Sequence, residues 1–238
     1  MRLYYIRHAQ SANNVRWDET ETGEGREADP ALTALGREQL TYLGDYLRTG
    51  DPRLNVRERL MPRGEGLGIT HLYCSLMVRA VETGIAVSRA LNLPLIAWPD
   101  IHERGGLWNY DEEDNRRGVD GPGRGFFEER YPELVLPDEI TEEGWWSRPA
   151  ELWDDVPTRA ERIIKGLLER HDEDDRIAWI SHGGLYNSML RVLLKMETNE
   201  GYWFELNNAA ITRIDFRDGH IALMYFNRTQ HLPHALLT

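Results

Sequence analysis

Hydrophobic positions along the chain fall into short runs separated by longer amphipathic stretches. Residues 3–6 form an apolar run of strand length, followed by a polar stretch over residues 8–30. Thr33 has the character of a helix N-cap, and Leu40, Leu43 and Leu47 recur behind it at helical spacing. Residues 49–68 hold Gly, Pro and Arg without a period and predict a loop. A second strand is predicted over 69–74, a helix over 77–91 and a short strand over 95–98. Further on, a helix is predicted over 158–170, where Ile163, Ile164, Leu167 and Leu168 share one side. A strand over 176–180 and a helix over 185–195 follow. Strands over 210–216 and 220–226 flank Asp218-Gly219, a hairpin signal. No internal repeat interrupts this order. The pattern predicts an α/β fold: a three-layer sandwich with a mostly parallel sheet, an antiparallel edge strand and helices on both faces.

One stretch breaks the alternation. Residues 105–156 lack a period and hold Trp108, Trp145, Trp146 and Trp153. So long a segment is expected to form an inserted lid on a single domain spanning 1–238. Charge changes the picture here. The whole chain carries −12, and 109–156 holds fifteen acids against five arginines, a net of −10. The rest is nearly neutral, which allows a locally positive pocket. The tryptophans at 145, 146 and 153 fit the core of the lid better than a substrate platform, and Asp111 to Asp114 fit a solvated cluster. Such an acidic lid is expected to disfavour polyanionic substrates.

At 238 residues, 41% hydrophobic and 29% charged, the chain reads as globular with a substantial core. The net negative charge argues against nucleic-acid binding, and no apolar run reaches bilayer length. The first residues enter a strand directly, so a cytoplasmic location is expected. Cys74 is the only cysteine, which excludes a disulfide framework and a cysteine metal cluster.

Ligands in an open parallel sheet bind beyond the carboxyl ends of the strands. The first predicted strand ends at Arg7-His8. The second ends at Ser75, with Arg79 one helical turn further, and the third is followed by His102-Glu103-Arg104. The strand over 176–180 ends at Ser181-His182-Gly183-Gly184. Two histidines, two arginines and a glutamate therefore converge on one sheet edge. Guanidinium forks suit phosphoryl oxygens, and a neutral imidazole is a competent nucleophile near neutral pH. The helix N-terminus after Gly183 offers N–H groups to an anion, and a carboxylic acid beside the leaving oxygen supplies a proton. Metal binding by His8, His102 and His182 is a competing use, but arginines beside both strand ends oppose a cation.

Arg7-His8-Ala9-Gln10-Ser11 resembles the Arg-His-Gly-Glu-Ser signature of the histidine phosphatase, or phosphoglycerate mutase-like, superfamily of branch 1 type. Leu32-Thr33-Ala34-Leu35-Gly36 is similar to that family's Leu-Thr-x-x-Gly helix start. Residues 75–83 resemble its Ser-x-x-x-Arg-Ala-x-x-Thr motif, and Ser181-His182-Gly183-Gly184 its second histidine motif. Ala9 stands where glycine is usual and Gln10 where glutamate is common. The resemblance spans residues 7–184 and leaves 109–156 and the C-terminal tail unmatched. It implies that His8 is the phosphorylated nucleophile and that Arg7, Arg79 and His182 hold the phosphate. Asn14 would add a phosphate contact, and Ser11 and Gly183 would lie beside the substrate. Glu103 would be the general acid and base, with His102 and Glu82 as ionisable alternatives. No metal and no organic cofactor are implied.

The expected function is hydrolysis of a small phosphate monoester through phosphohistidine at His8. A phosphoglycerate mutase would return the phosphoryl group to substrate and would need extra cations; Arg116 and Arg117 are candidates in an acidic setting. A non-catalytic binding module on this fold would have lost the nucleophile or the arginines, and His8, Arg7 and Arg79 are all present. Neither substrate identity nor oligomeric state is legible.

Overall fold

Residues buried on both faces make the first strand a nearly continuous apolar run, because a central parallel strand has no solvated side. A computed structural model describes residues 1–22, 24–50, 66–196 and 201–238. Strand β1 (Arg2–Arg7) is followed by helices α1 (Ala12–Thr20) and α2 (Ala34–Thr49). Next come β2 (His71–Cys74), α3 (Val78–Leu91) and β3 (Leu95–Ala97). A small hairpin, β4 (Trp108–Tyr110) and β5 (Arg116–Gly118), precedes α4 (Arg124–Arg130) and β6 (Leu134–Val135). The chain closes with α5 (Val156–Arg170), β7 (Arg176–Ser181), α6 (Gly183–Leu193), β8 (Ile211–Arg217) and β9 (His220–Arg228).

Seven strands form one sheet in the order β6-β3-β2-β7-β1-β8-β9. The first five are parallel, and β8 runs antiparallel to both β1 and β9. The α/β fold with an antiparallel edge is therefore the fold predicted. Alternation along the strands sorts side chains between two cores. Tyr4, Ile6, Ala178 and Ile180 pack with α2 and α3, through Leu43, Leu47, Val81 and Ile85. Leu3, Tyr5, Ile177 and Trp179 pack with α5 and α6, through Ile163, Leu167, Leu185 and Met189.

Local chemistry follows the sequence closely in places. Thr33 caps α2 by accepting from the Gly36 amide at 3.0 Å. A Cβ on Gly36 would fall 2.1 Å from the Gln10 carbonyl oxygen, so the Leu-Thr-x-x-Gly glycine lets α2 touch the β1–α1 connection. Asp218 and Gly219 turn the β8–β9 hairpin with φ of 50° and 75°.

Three features depart from the expected pattern. Helix α1 lies in the stretch read only as polar; it buries no residue and so carries no hydrophobic period. The helix at 183 starts two residues earlier than predicted, because two glycines mask its first turn. Within 105–156, β6 adds an edge strand to the main sheet, and Trp145 and Trp146 are buried with Phe127 in the α2–α3 core, whereas Trp153, expected with them in the core of the lid, is exposed. Most of the loop expected over 49–68 lies outside the described residues. Among those described, no helix is long and apolar enough to cross a membrane.

Candidate active site

Parallel pairing brings the ends of β1 and β7 side by side, with Arg7 opposite Ser181. The next residues are His8 and His182, whose rings lie 5.1 Å apart between centroids. The neighbouring strand β2 delivers Ser75, and α3 carries Arg79 back over the same edge. Arg79 Nε donates to His8 Nε2 at 3.1 Å. On the other side of the ring, His8 Nδ1 lies 2.8 Å from the Ala9 carbonyl oxygen. An N–H must donate to that carbonyl, so the lone pair belongs to Nε2. Burial first, then the Arg79 and Arg7 cations, hold His8 well below its ordinary pKa of 6.5. The imidazole is thus neutral and nucleophilic at neutral pH.

The backbone around His8 is fixed by residues from several elements. Thr83 accepts from the Ala9 amide at 3.1 Å and donates to the Arg79 carbonyl at 2.7 Å. This gives a physical reason for the threonine four residues after the arginine. Asn208 donates to the His8 carbonyl at 3.1 Å. Tyr5, one turn of the pleat behind, donates to the His182 carbonyl at 2.7 Å and contacts Ser181 Oγ at 2.9 Å. Ser181 in turn donates to the Ile101 carbonyl at 2.8 Å, tying the second histidine to the segment that carries Glu103.

Several buried polar atoms around His8 have no hydrogen-bond partner: Arg7 Nε, Arg79 Nη1, and both ring nitrogens of His182. Burial and the Arg79 charge keep His182 neutral, its pKa well below the usual value. Arg7 Nη1 is anchored on the Leu206 carbonyl. Arg79 Nη1 lies 3.6 Å from Asp29 Oδ1, and the Val78 amide donates to the same oxygen at 2.9 Å. Burial raises the Asp29 carboxyl to about 6, against the lowering effect of Arg79.

Glu103 sits on the N-terminus of α6. Its carboxylate accepts from the amides of Gly184 at 3.1 Å, Leu185 at 3.0 Å and Arg104 at 2.7 Å. The expectation that these helix N–H groups await a phosphate is corrected here: two of them hold Glu103 instead. The second glycine of the pair follows from this contact, since a Cβ on Gly184 would lie 2.4 Å from Glu103 Oε1.

A cleft of about 520 Å³ opens at this edge, lined in part by Arg7, Asn14, Glu103, Arg104 and Gly183. Asn14 Oδ1 accepts from the Ser11 amide, the Ser11 hydroxyl and Asn208 at 3.0, 2.8 and 3.2 Å. Its NH₂ is left to the cleft. Ser11 is buried behind Asn14 and reaches the site only through it. His102 is turned away, packed on Trp146 at 4.8 Å with Nδ1 on the Glu103 carbonyl at 2.7 Å. Glu82 is committed to the Leu32 amide at 3.0 Å. Asp111 closes the β4–β5 turn, accepting from Asn115 and Arg117, while residues 112–114 are exposed. Among the described residues, the one group with metal-ligand spacing is His71, His171 and Asp175, at the opposite end of the strands from His8.

Asp29 and Asn208 were not anticipated. Neither sits in a motif with a period, and each acts by holding another residue. A serine three residues before an asparagine, at the start of a polar helix, was the available sign of α1.

Comparison with known proteins gives the same setting. The family model of the histidine phosphatase superfamily (branch 1) matches residues 56–229, more than half of the chain. That span includes Arg79, Glu103 and His182 and begins after His8. No sequence relative is found among curated proteins. A mutant phosphoserine phosphatase from Entamoeba histolytica in complex with phosphoserine superimposes with a TM-score of 0.61 at 21% identity, covering 98% of this chain and 99% of the other. A putative α-ribazole-5′-phosphate phosphatase from Escherichia coli gives 0.62 at 20% identity, covering 96% and 97%. A mycobacterial glucosyl-3-phosphoglycerate phosphatase in complex with VO₃ gives 0.58 at 17% identity, covering 96% and 99%.

Proposed function

Because the chain belongs to branch 1 of the histidine phosphatase superfamily and is a hydrolase of the phosphatase class, we propose that it hydrolyses a small phosphate monoester through a phosphohistidine at His8, without a metal or organic cofactor. The observation that carries this reading is the convergence on a neutral imidazole of buried donors that lack hydrogen-bond partners. Arg7 Nε, Arg79 Nη1 and the His182 ring surround His8, whose lone pair is at Nε2. Buried polar groups without a hydrogen bond are costly, and a phosphoryl group would accept from Arg7 Nε, Arg79 Nη1 and the single N–H of the neutral His182 ring.

In the first step His8 Nε2 attacks phosphorus, a P–N bond forms and the P–O bond to the alcohol breaks. Arg7, Arg79 and His182 carry the charge on the phosphoryl oxygens, with the Asn14 amide as a further donor. Glu103 gives its proton to the departing oxygen. In the second step Glu103 takes a proton from water, the water oxygen attacks phosphorus, and the P–N bond breaks to release inorganic phosphate. Helix α6, which follows the strand β7 paired with β1, fixes the carboxylate through the Gly184 and Leu185 amides.

The test is turnover of para-nitrophenyl phosphate by wild-type and His8→Ala protein in the presence of a chelator. Wild-type hydrolysis that is lost in the variant supports the reading. Equal rates for the two proteins contradict it.

A further inference from the structure

Beside the phosphate end of the cleft, arginine and tryptophan side chains alternate in a continuous ladder. Arg26 lies over the ring of Trp108 at 3.7 Å, and Arg116 lies over Trp108 at 5.5 Å and over Trp153 at 4.7 Å. Arg104 lies over Trp153 at 4.5 Å and over Trp203 at 5.1 Å. Three of these six residues come from the 105–156 segment, which no motif explained. Arg104 and Trp203 are the members that also line the cleft, and Trp17 of α1 lines it as well. Trp203 is 48% exposed and Trp17 58% exposed, so both are open to solvent at a cleft that Arg7 and Glu103 also line.

An exposed indole face of this kind suits a planar ring, because stacking is tolerant of which ring arrives. Charge in the cleft decides against a second anionic group. Apart from Glu103, its acids are Asp18 and Glu205, and its other cation besides Arg7 is Arg104, already stacked between two indoles. Two carboxylates would repel a second phosphate but accept hydrogen bonds from alcohol hydroxyls. Two of the cleft's amides are already engaged: Asn187 is spent on Gly183 and Phe204, and Asn208 on His8 and Asn14.

We propose that the cleft selects phosphate monoesters whose alcohol is uncharged, bears hydroxyls and carries a planar ring, of the nucleoside 5′-monophosphate type, with the ring received on Trp203 beside Arg104. This rests on the phosphatase reading above and names the substrate class of that site. The ladder holds Arg104 and Trp203 in register, so the ring meets a preorganised platform. Discrimination falls on presence of the ring rather than on its identity.

The experiment compares kcat/KM for adenosine and cytidine 5′-monophosphates with that for ribose 5-phosphate, which shares the phosphate and sugar and lacks the base. Para-nitrophenyl phosphate is run alongside to report the phosphatase chemistry itself. Wild-type protein is expected to prefer both nucleotides over ribose 5-phosphate by about ten-fold or more. Trp203→Ala should bring that ratio close to one, and Trp203→Phe should restore most of it. Hydrolysis of para-nitrophenyl phosphate with no preference for the nucleotides, or a preference unmoved by Trp203→Ala, overturns the inference and leaves the phosphatase reading standing. Failure to hydrolyse any of the esters overturns both.

Discussion

Arg79 Nε donates to His8 Nε2 over 3.1 Å, so the resting site spends the imidazole lone pair on a guanidinium. In the proposed mechanism Arg79 exchanges that contact for phosphoryl oxygens when an ester binds, and the lone pair is released to attack. Lysine preserves the charge but not the planar fork. Arg79→Lys is expected to lower kcat/KM for an aryl phosphate about 100-fold or more. A lysine variant within a few-fold of wild type would show that the fork is not what the reaction uses.

Burial should make stability depend on pH through the histidines. His8, His102 and His182 are all held well below their ordinary pKa of 6.5, burial being the largest cause in each. Below that value the unfolded chain binds protons that the folded chain refuses. Their contribution is therefore present above 6.5 and lost as pH falls, about 1.4 kcal/mol per pH unit for each ring. Asp29 acts in the opposite sense, since its folded pKa of about 6 exceeds the ordinary 3.8. Its contribution is present below 3.8 and lost as pH rises to about 6, which offsets one ring in that window. His231, which burial lowers to about 4, acts in the same sense, so urea unfolding at about pH 7.5 and about pH 5.5 should differ by about 4 to 5 kcal/mol, the acidic sample being less stable. Equal stabilities at the two values would contradict the burial of neutral rings.

The Asp29 carboxylate backs Arg79 only while it is ionised. In Asp29→Asn this support is absent at every pH. The ratio of wild-type to variant kcat/KM cancels the ionisation of the substrate itself. That ratio should be well above one at about pH 8 and decline towards one below about 6, as wild-type Asp29 takes up its proton. A ratio independent of pH would remove Asp29 from the positioning of Arg79.

Gly184→Ala tests whether the seat of Glu103 matters. The added methyl would meet Glu103 Oε1 at 2.4 Å, while alanine is a better helix former than glycine, so folding is expected to survive. The loss should depend on the leaving group: about 100-fold for an alkyl phosphate that needs a proton, and much less for para-nitrophenyl phosphate, which does not. A uniform loss across leaving groups would assign Glu103 another role.

The parts of the molecule legible in the sequence are those whose burial imposes a pattern. Central strands β1, β2 and β7 are apolar on both faces, and Arg7, Ser75 and His182 mark where each run stops at the sheet edge. The amphipathic helices α2, α3 and α5 carry their period openly. Helix α1 was hidden because it buries nothing, and β6 because a two-residue strand has no period. Asp29 and Asn208 were hidden for a different reason. Their importance lies in contacts across 50 residues and 200 residues of sequence, to Arg79 and to His8, which composition and spacing do not record.

The central claim is that the phosphoryl group passes through His8. The direct measurement mixes enzyme with substrate, quenches in alkali within the first turnovers, and maps any phosphoryl group by peptide mass spectrometry. A P–N linkage on the peptide containing His8, stable in alkali, lost in acid and absent from His8→Ala, is the predicted result. Steady turnover with no acid-labile phosphoryl group at His8, together with full activity in His8→Ala, would contradict it.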